Sequence, residues 1–441
     1  MPEGKLLVKD TRTSLEYEIP ITRNAVSATD FNKIKGRATA ANRADKISSG
    51  LRIYDPGLQN TAVVETSTTF ADSDNGLLLY RGYSLKQVWE SDFEEILHLM
   101  VWGKYPTSSQ KESLRRALAL TMSKVPDSVV KAVQSFSTSS PPMPMILAGL
   151  AAYIGSDPES IPAFKGGNIY HGNLDRVDKA IVKTVAAYGV CIGLAASHRK
   201  GIKFVPASPD KTYFENIFTM MGHVDPATGH PDPLILSCFR RFAVLNADHG
   251  MTQSTFVLLA TASSLPDPIS CLISALAAAY GPLHFGAPES AYRVIKKVGK
   301  PENVPALIDE VKRGERRLFG YGHRTYKTID PRLAPIKELL VELNAASNPL
   351  LKVAQEIDRI AANDDYFRKR GLNANADFYG VFFFIACGFE AEFVPILMLA
   401  QRIAGIMAHW RESMTRDIKL FRPSHIYTGP TTPVADLLSK L

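Results

Sequence analysis

Several signatures that identify common protein classes are missing from this sequence. There is no GxGxxG, Walker or GxSxG motif, so a Rossmann, P-loop or serine-hydrolase assignment is not supported. Zinc-finger spacing, an RNA-binding signature and a long basic run are also absent, so the net charge of +7 does not indicate nucleic acid. We expect no nucleic-acid partner and favour anionic small molecules as ligands.

Cysteine is scarce as well, with four residues that form no CxxC pair. Cys191, Cys238, Cys271 and Cys387 lie far apart in apolar segments. We therefore predict buried, reduced thiols, which are typical of intracellular proteins. No apolar run looks long enough to span a membrane, and the stretch FYGVFFFIACGF is interpreted as a core helix, so no membrane partner is expected.

Long amphipathic or buried stretches rich in alanine, leucine, isoleucine and methionine make up most of the chain after residue 80. Extended segments such as KLLVKD and SLEYEIP precede them, and turn sequences separate β-like pieces as far as residue 85. This pattern predicts a mainly α protein with a small N-terminal β portion. It also predicts apolar helices over residues 177–201, ending at Gly201, and over 348–362 and 378–407.

The chain finishes with Ser439, Lys440 and Leu441. This tripeptide at a C-terminus is the address read by the peroxisomal import receptor. Charged residues at the other end, among them Glu3 and Lys5, interrupt any secretory signal. We therefore expect a peroxisomal location, with the import receptor as a partner.

The segment GPLHFGAPE, residues 281–289, places His284 at the end of an apolar run and between glycines and prolines. Those residues disfavour continuous helix on either side. An imidazole in such a break can be reached by a ligand, and its titration range suits proton transfer. A hydrogen-bonded core histidine is the alternative interpretation.

Other chemically capable residues lie beside turns in the same way. His249 occurs in NADHG, His323 in GYGHR, and Asp377 in NANADFYG at the entry to an apolar helix. Helix capping alone would explain an aspartate in that place. A metal site made of the three histidines is disfavoured, because short ligand spacings such as HExxH are missing and nearby arginines suit a carboxylate better. We expect no metal.

Taken together, eight segments of the chain resemble the citrate synthase family in order and spacing: GLRIYDPG, LLLYRGYSL, VWGKYPT, LNADHG, GPLHFGAPE, GYGHRTYKTIDPR, NADFYG and FRPSHIYTG. The resemblance implies a two-domain helical fold that is active as a homodimer. It divides the chain into an N-terminal arm at 1–50, a large helical domain at 51–284 and 386–441, and a small domain at 285–385. The two domains would close over the substrate.

The resemblance also implies a role for each matching side chain. His284 would hydrogen-bond the thioester carbonyl of acyl-CoA, Asp377 would remove a proton from the adjacent carbon, and His323 would polarise the keto group of oxaloacetate. The carboxylates of oxaloacetate would be held by His249, Arg332, Arg402 and Arg422, the last of these from the partner subunit. CoA would bind near Arg317, Leu318, Gly320, Gly322, Arg324 and Lys327. The CoA thioester is a substrate, and no cofactor is expected.

Four residues depart from the family pattern close to these side chains. Phe285 and Pro288 replace a glycine and an asparagine, and Gly250 and Thr252 replace a carboxylate and an amide. A phenylalanine adds bulk and apolar surface where the acyl chain would lie. This bulk would either exclude long chains or line the site for an alkyl chain, and the sequence leaves both outcomes open.

These features predict a citrate-synthase-type acyltransferase, in which the acyl group becomes an alkyl group on transfer. Oxaloacetate and acyl-CoA would give citrate, or a citrate-like tricarboxylic acid, and free CoA. The family implies acetyl-CoA as the donor. The alternatives are a longer acyl-CoA that yields an alkylcitrate, as in fungal specialised metabolism, and a catalytically silent paralogue that only binds.

Overall fold

The computed structural model describes residues 3–39, 42–72, 74–322, 326 and 330–431. Their contacts divide them into two compact units. One comprises the described residues up to Glu65 together with those from Arg422 onward, and the other is Thr66–Phe421. The predicted boundaries of an arm, a large domain and a small domain remain a prediction.

The first unit contains an antiparallel sheet of three strands, in the order β1-β2-β3. The strands are β1 (Gly4–Asp10), β2 (Leu15–Thr22) and β3 (Ala25–Val26). Gly4 pairs with Ile21 at one end and Asp10 with Leu15 at the other, where Arg12 forms a two-pronged ion pair with Asp10. The predicted extended segments are thus confirmed. Short 3-10 helices follow at Ala28–Lys33, Arg43–Asp45 and Ile47–Ser49.

The second unit begins with a small antiparallel sheet of β4 (Thr69–Asp72), β5 (Leu77–Tyr80) and β6 (Tyr83–Ser84). Asp72 accepts hydrogen bonds from the backbone and side chain of Asn75, which fixes the turn between the first two strands. Residues 51–65, where β-like pieces had been predicted, contain no strand.

Helices form the rest of the second unit, which confirms the mainly α prediction. The α-helices among the described residues are α1 (Phe93–Trp102), α2 (Ser108–Met122), α3 (Asp127–Gln134), α4 (Pro142–Gly155), α5 (Leu174–Lys200), α6 (Tyr213–Met220), α7 (Pro233–Asn246), α8 (Gln253–Ala262), α9 (Pro268–Ala279), α10 (Ala287–Val298), α11 (Val304–Lys312), α12 (Leu333–Glu342), α13 (Pro349–Asn363), α14 (Asp365–Lys369), α15 (Ala376–Ala386) and α16 (Val394–Met414). Single 3-10 turns lie at Pro158–Ser160, Pro301–Asn303, Ala345–Ser347 and Ala391–Phe393.

Two long apolar helices, α5 and α16, form the centre of this unit. Helix α5 ends as predicted, because Gly201 adopts the left-handed conformation that closes a helix. The expectation that no apolar segment is long enough to span a membrane was wrong on length, since Leu174–Lys200 and Ala391–Met414 both are. In each, 89% of the apolar window is buried inside the protein, as in the core helices of soluble proteins.

The single helix predicted over 378–407 is in fact two helices. Gly388 has φ +84, a conformation that ends α15, and Pro395 lies in the first turn of α16. After the break, α16 packs against α1, α5, α7 and α8. The four cysteines are buried and reduced, which confirms the prediction made for them.

Candidate active site

The predicted functional side chains in the second unit lie at helix ends and in short connections, except for one in mid-helix. His249 lies between α7 and α8, His284 follows α9, Arg332 precedes α12, Asp377 is in the first turn of α15, and Arg402 is inside α16. Electrostatic interactions join several of them, because Arg402 acts on both His284 and Asp377. The fold therefore brings these residues together from five separate segments.

His284 is held by the first turn of α8. Its Nε2 lies 2.8 Å from Ser254 Oγ and 3.4 Å from the backbone nitrogen of Ser254. A backbone N–H can only donate, so Nε2 is an acceptor and we assign the ring proton to Nδ1. His284 lies at the N-terminus of α8, where the positive end of the helix dipole disfavours a positively charged imidazole.

The charge state of His284 follows from its surroundings. Burial lowers the pKa of His284 to about 4, and the positive charge of Arg402 acts in the same direction. At neutral pH the ring is therefore neutral, with Nδ1–H available as a hydrogen-bond donor to a ligand. A neutral donor of this kind can stabilise an oxygen on which negative charge develops.

Arg332 and Asp330 form a buried pair. Arg332 Nε lies 2.9 Å from Asp330 Oδ1, and Arg332 Nη2 lies 2.7 Å from Oδ2. Asp330 Oδ2 also accepts the backbone N–H of Ala376 at 3.0 Å. Asp330 thus fixes the guanidinium of Arg332 against the start of the helix that carries Asp377.

Asp377 has the environment of a general base. Burial raises the pKa of Asp377 above its ordinary value, and the nearby charge of Arg332 only partly opposes this. Its backbone N–H donates to Asn375 Oδ1, so Asn375 and not Asp377 caps α15. The capping role considered for Asp377 therefore belongs to its neighbour, and the carboxylate of Asp377 is left for chemistry.

Arg402 and Phe285 contact each other directly. The guanidinium carbon of Arg402 lies 5.1 Å from the centre of the Phe285 ring, and Arg402 Nε donates to the carbonyl of Asn246. The rings of Phe285 and His284 are 4.7 Å apart. Both Arg402 and Phe285 are buried. The large residue beside His284 therefore packs into the protein beneath the site.

His249 is oriented by Tyr326, whose hydroxyl lies 3.0 Å from His249 Nε2. Beneath it, Asp248 accepts hydrogen bonds from His409 at 3.2 Å and Thr69 at 2.5 Å. Burial alone would raise the pKa of Asp248, but His409, Arg402 and Thr69 hold it below its usual range. The charged carboxylate anchors the turn that presents His249.

The predicted CoA residues lie on the segment after α11. Arg317 is exposed and lies over the Phe319 ring, while Leu318 is buried. Gly320 has φ +78, and a Cβ there would lie 2.7 Å from Phe378 Cβ, so close packing accounts for this glycine. Gly322 follows with φ +82. The predicted site and targeting residues His323, Arg324, Lys327, Ser439, Lys440 and Leu441 lie outside the described residues.

Arg422 is an exposed residue of the first unit, separate from the unit that holds the other site residues. Its predicted role at the site of a partner subunit remains a prediction.

Three of the four departures have a local structural reason. Gly250 has φ +64, which disfavours a side chain, although a Cβ built there meets no atom within 4 Å. Thr252 caps α8 by accepting the N–H of Thr255, and Pro288 lies in the first turn of α10. Thr252 therefore supports the helix end that holds His284.

Four residues of the site were not predicted from the sequence: Ser254, Tyr326, Asp330 and Asp248. The pair Asp330 and Arg332 had a usable signal, a carboxylate two residues before an arginine. The contact of Ser254 with His284 spans 30 residues and has no such local signal. Among the described residues, which exclude His323, no group of three or more His, Cys, Asp or Glu side chains could hold a metal.

Residues 57–424 match the family model described as "Citrate synthase, C-terminal domain". Alkylcitrate synthase phiJ from a fungal species is 53% identical over 437 residues, covering 97% of this chain and 94% of the relative. Alkylcitrate synthase tstJ from Talaromyces stipitatus is 49% identical over 434 residues, covering 98% of this chain and 95% of the relative.

The fold is similar to that of a solved citrate synthase from Thermoplasma acidophilum, in a ternary complex with carboxymethyl coenzyme A and oxaloacetate. The TM-score is 0.79 at 24% identity, covering 88% of this chain and 99% of that chain. Two further relatives have names that state an organelle. These are the glyoxysomal citrate synthase of Cucurbita maxima, 34% identical over 432 residues, and the peroxisomal citrate synthase of Dictyostelium discoideum, 32% identical over 426 residues. They cover 97% and 96% of this chain, and the matches cover 82% and 85% of the relatives.

Proposed function

Because this chain belongs to the citrate synthase family, we propose that it condenses oxaloacetate with an acyl-CoA longer than acetyl-CoA, giving an alkylcitrate and free CoA. The enzyme is a transferase of the citrate synthase type. The choice of donor is the proposed part. Acetyl-CoA, which the family resemblance implies, is the other candidate.

In the proposed reaction, Asp377 accepts a proton from the carbon next to the thioester. Nδ1–H of His284 donates a hydrogen bond to the thioester oxygen as negative charge develops there. That carbon then attacks the keto carbon of oxaloacetate. His323 polarises the keto oxygen, which takes up one proton as the carbon–carbon bond forms and becomes a hydroxyl group, balancing the proton given to Asp377. Water hydrolyses the thioester and CoA leaves. Every proton and electron pair passes between side chains, substrate and water, so the scheme needs no metal or redox cofactor.

The surroundings of His284 support a longer donor, and Phe285 is the observation that carries the proposal. Its ring packs against Arg402 and is buried, so the bulk of Phe285 does not project outward to block a long acyl chain. The hydrogen bond between Ser254 and His284 joins the start of α8 to the segment after α9, and two apolar side chains beside these residues, Leu283 and Met251, are 72% and 37% exposed. An alkyl chain that covers such side chains gains about 0.8 kcal/mol for each buried CH₂ group.

We expect kcat/KM at saturating oxaloacetate to rise along an acyl-CoA series from acetyl to octanoyl. Replacing Leu283 with glutamine should reduce kcat/KM for octanoyl-CoA about tenfold and change that for acetyl-CoA little, because in the proposal only a long chain covers this exposed side chain beside His284. Leu120→Gln, at an exposed leucine on α2, is the matched control. Highest activity with acetyl-CoA would reject the longer donor and leave the condensation itself intact.

The homodimer is part of the proposal and is supported by the family resemblance. In this arrangement Arg422 of each chain reaches the oxaloacetate carboxylates of the other, where its planar guanidinium can bind both oxygens. We therefore expect the purified protein to sediment in analytical ultracentrifugation with twice the chain mass of 48.4 kDa.

We propose a peroxisomal location, supported by the terminal Ser439-Lys440-Leu441 and by the organelle-named relatives. A fluorescent protein fused to the N-terminus should give punctate fluorescence that coincides with a peroxisomal marker. Deletion of the three terminal residues should make the fluorescence diffuse, because the import receptor then has nothing to bind. The intact fusion is the control, and an unchanged distribution after deletion would contradict the proposal.

A further inference from the structure

One carboxylate on α13 contacts both segments that lead to the proposed chemistry. Asp358 Oδ1 accepts a hydrogen bond from the Tyr321 hydroxyl at 3.0 Å, and Oδ2 accepts one from the Tyr379 hydroxyl at 2.8 Å. In the sequence, Tyr321 lies two residues before His323, and Tyr379 lies two residues after Asp377. Asp358 was not singled out from the sequence, because its two partners are 37 and 21 residues away.

The same two segments are also joined by their backbones. Tyr321 and Ala374 form an isolated antiparallel bridge. The N–H of Gly322 donates to the Asn373 carbonyl at 2.8 Å, and the side chain of Asn375 donates to the Gly322 carbonyl at 2.9 Å. Gly320 packs so closely on Phe378 that no side chain fits between them. A shift of one segment would therefore move the other.

Lys337 of α12 completes this cluster. Its Nζ lies 3.3 Å from Asp358 Oδ2 and 4.5 Å from the centre of the Tyr379 ring. Tyr379 is buried, so its hydroxyl needs a partner inside the protein. A hydrogen bond from a phenol to a charged carboxylate is stronger than one between neutral groups. The two hydrogen bonds to Asp358 therefore hold the Tyr321 and Tyr379 side chains in defined positions.

We propose that Asp358 is a positioning residue: by holding Tyr321 and Tyr379 at once, it sets the spacing between the segment that leads to His323 and the helix that carries Asp377. This role rests on the proposed function, in which both groups act on the same pair of substrates. Reacting groups must stay within about 1 Å of their productive placement, since a displacement of that size can cost on the order of 10²-fold in rate. Asp358 touches no substrate in this scheme and acts only through the two tyrosines.

The test compares Asp358→Ala and Asp358→Asn in the full-length protein with the best acyl-CoA. We expect Asp358→Ala to lower kcat about 10- to 100-fold and to change KM for acyl-CoA less than threefold, because misplacement affects the chemical steps. Asp358→Asn should recover much of the loss, since its amide oxygen accepts from one phenol and its NH₂ donates to the oxygen of the other.

Replacing each tyrosine with phenylalanine removes one of the two hydrogen bonds to Asp358 at a time. Each replacement should lower the rate less than loss of the carboxylate does. Tyr379→Phe should slow exchange of the donor's α-protons into D₂O, measured with (S)-malate in the oxaloacetate position. Tyr321→Phe should leave that exchange nearly unchanged and slow the full condensation. Glu356→Gln is the matched control, because it removes an ion pair with Arg359 on the same helix and should alter neither rate.

Hydrogen–deuterium exchange supplies a readout that does not need turnover. Asp358→Ala should speed amide exchange in the peptides that contain residues 320–322 and 373–379. Wild-type kcat in Asp358→Ala, with only a lower Tm, would overturn the positioning role. Absence of CoA release from the wild type with every acyl-CoA would reject the proposed function. The structural part of the proposal would then be tested by whether Asp358→Ala speeds amide exchange in both peptides.

Discussion

Replacing Asp377 with asparagine should lower kcat by about 10³-fold, the size expected when a general base is removed. Asparagine has the shape of aspartate but accepts no proton at neutral pH. The fold should be unaffected, because the helix start depends on Asn375 and on the backbone N–H of residue 377, both of which remain. Steady-state release of CoA, followed with a thiol reagent, measures the effect.

The control for this variant is Asp365→Asn, at an exposed aspartate of α14 that pairs with Lys369. Its kcat should equal that of the wild type. The affinity for oxaloacetate should persist in Asp377→Asn, since Arg332 and Arg402 are retained and lose a neighbouring negative charge. A kcat within tenfold of the wild type would show that another group removes the proton.

The pH dependence of kcat has a defined sign. The pKa of Asp377 is raised by burial, so protonation on the acid side inactivates the base at a higher pH than for an ordinary aspartate. kcat should therefore rise with pH across that pKa. His284, with its pKa lowered to about 4, should contribute no change near pH 6.5, the ordinary value for histidine.

His284→Gln should lower kcat by on the order of 10²- to 10³-fold, the cost of losing a hydrogen-bond donor to a developing oxyanion. The assigned tautomer predicts a difference between two amide variants. The side-chain amide of asparagine reaches the place of Nδ1, where its NH₂ can donate to the substrate, whereas the amide of glutamine reaches the place of Nε2, where its oxygen accepts from Ser254. His284→Asn should thus retain about tenfold more activity than His284→Gln, because an amide donor still reaches the substrate.

Equal loss in the two amide variants would contradict the Nδ1–H assignment. Ser254→Ala provides a matched check, since it removes the hydroxyl but keeps the backbone N–H that donates to Nε2. Its effect on kcat should therefore be smaller than that of either His284 variant. Thermal unfolding of all three proteins, compared with the wild type, separates lost chemistry from lost stability.

The sequence by itself determined the features that depend on neighbours along the chain. Apolar periodicity and the stop at Gly201 predicted α5 nearly to its ends, and apolar surroundings predicted buried cysteines. The motif order predicted the family and the condensation type, both of which are confirmed. These inferences succeeded because capping, burial and motif spacing are recorded locally in the residues.

The tertiary structure alone decided which groups complete the site. Ser254 fixes the His284 tautomer from 30 residues away, and Tyr326 orients His249 from 77 residues away. Asp358 joins two tyrosines that lie 37 and 21 residues from it in the sequence. Such pairs depend on how helices pack, and no local propensity encodes them. The break between α15 and α16 was missed for a different reason: an apolar run satisfies a helix pattern on both sides of Gly388, and this pattern was given more weight than the local signals of Gly388 and Pro395.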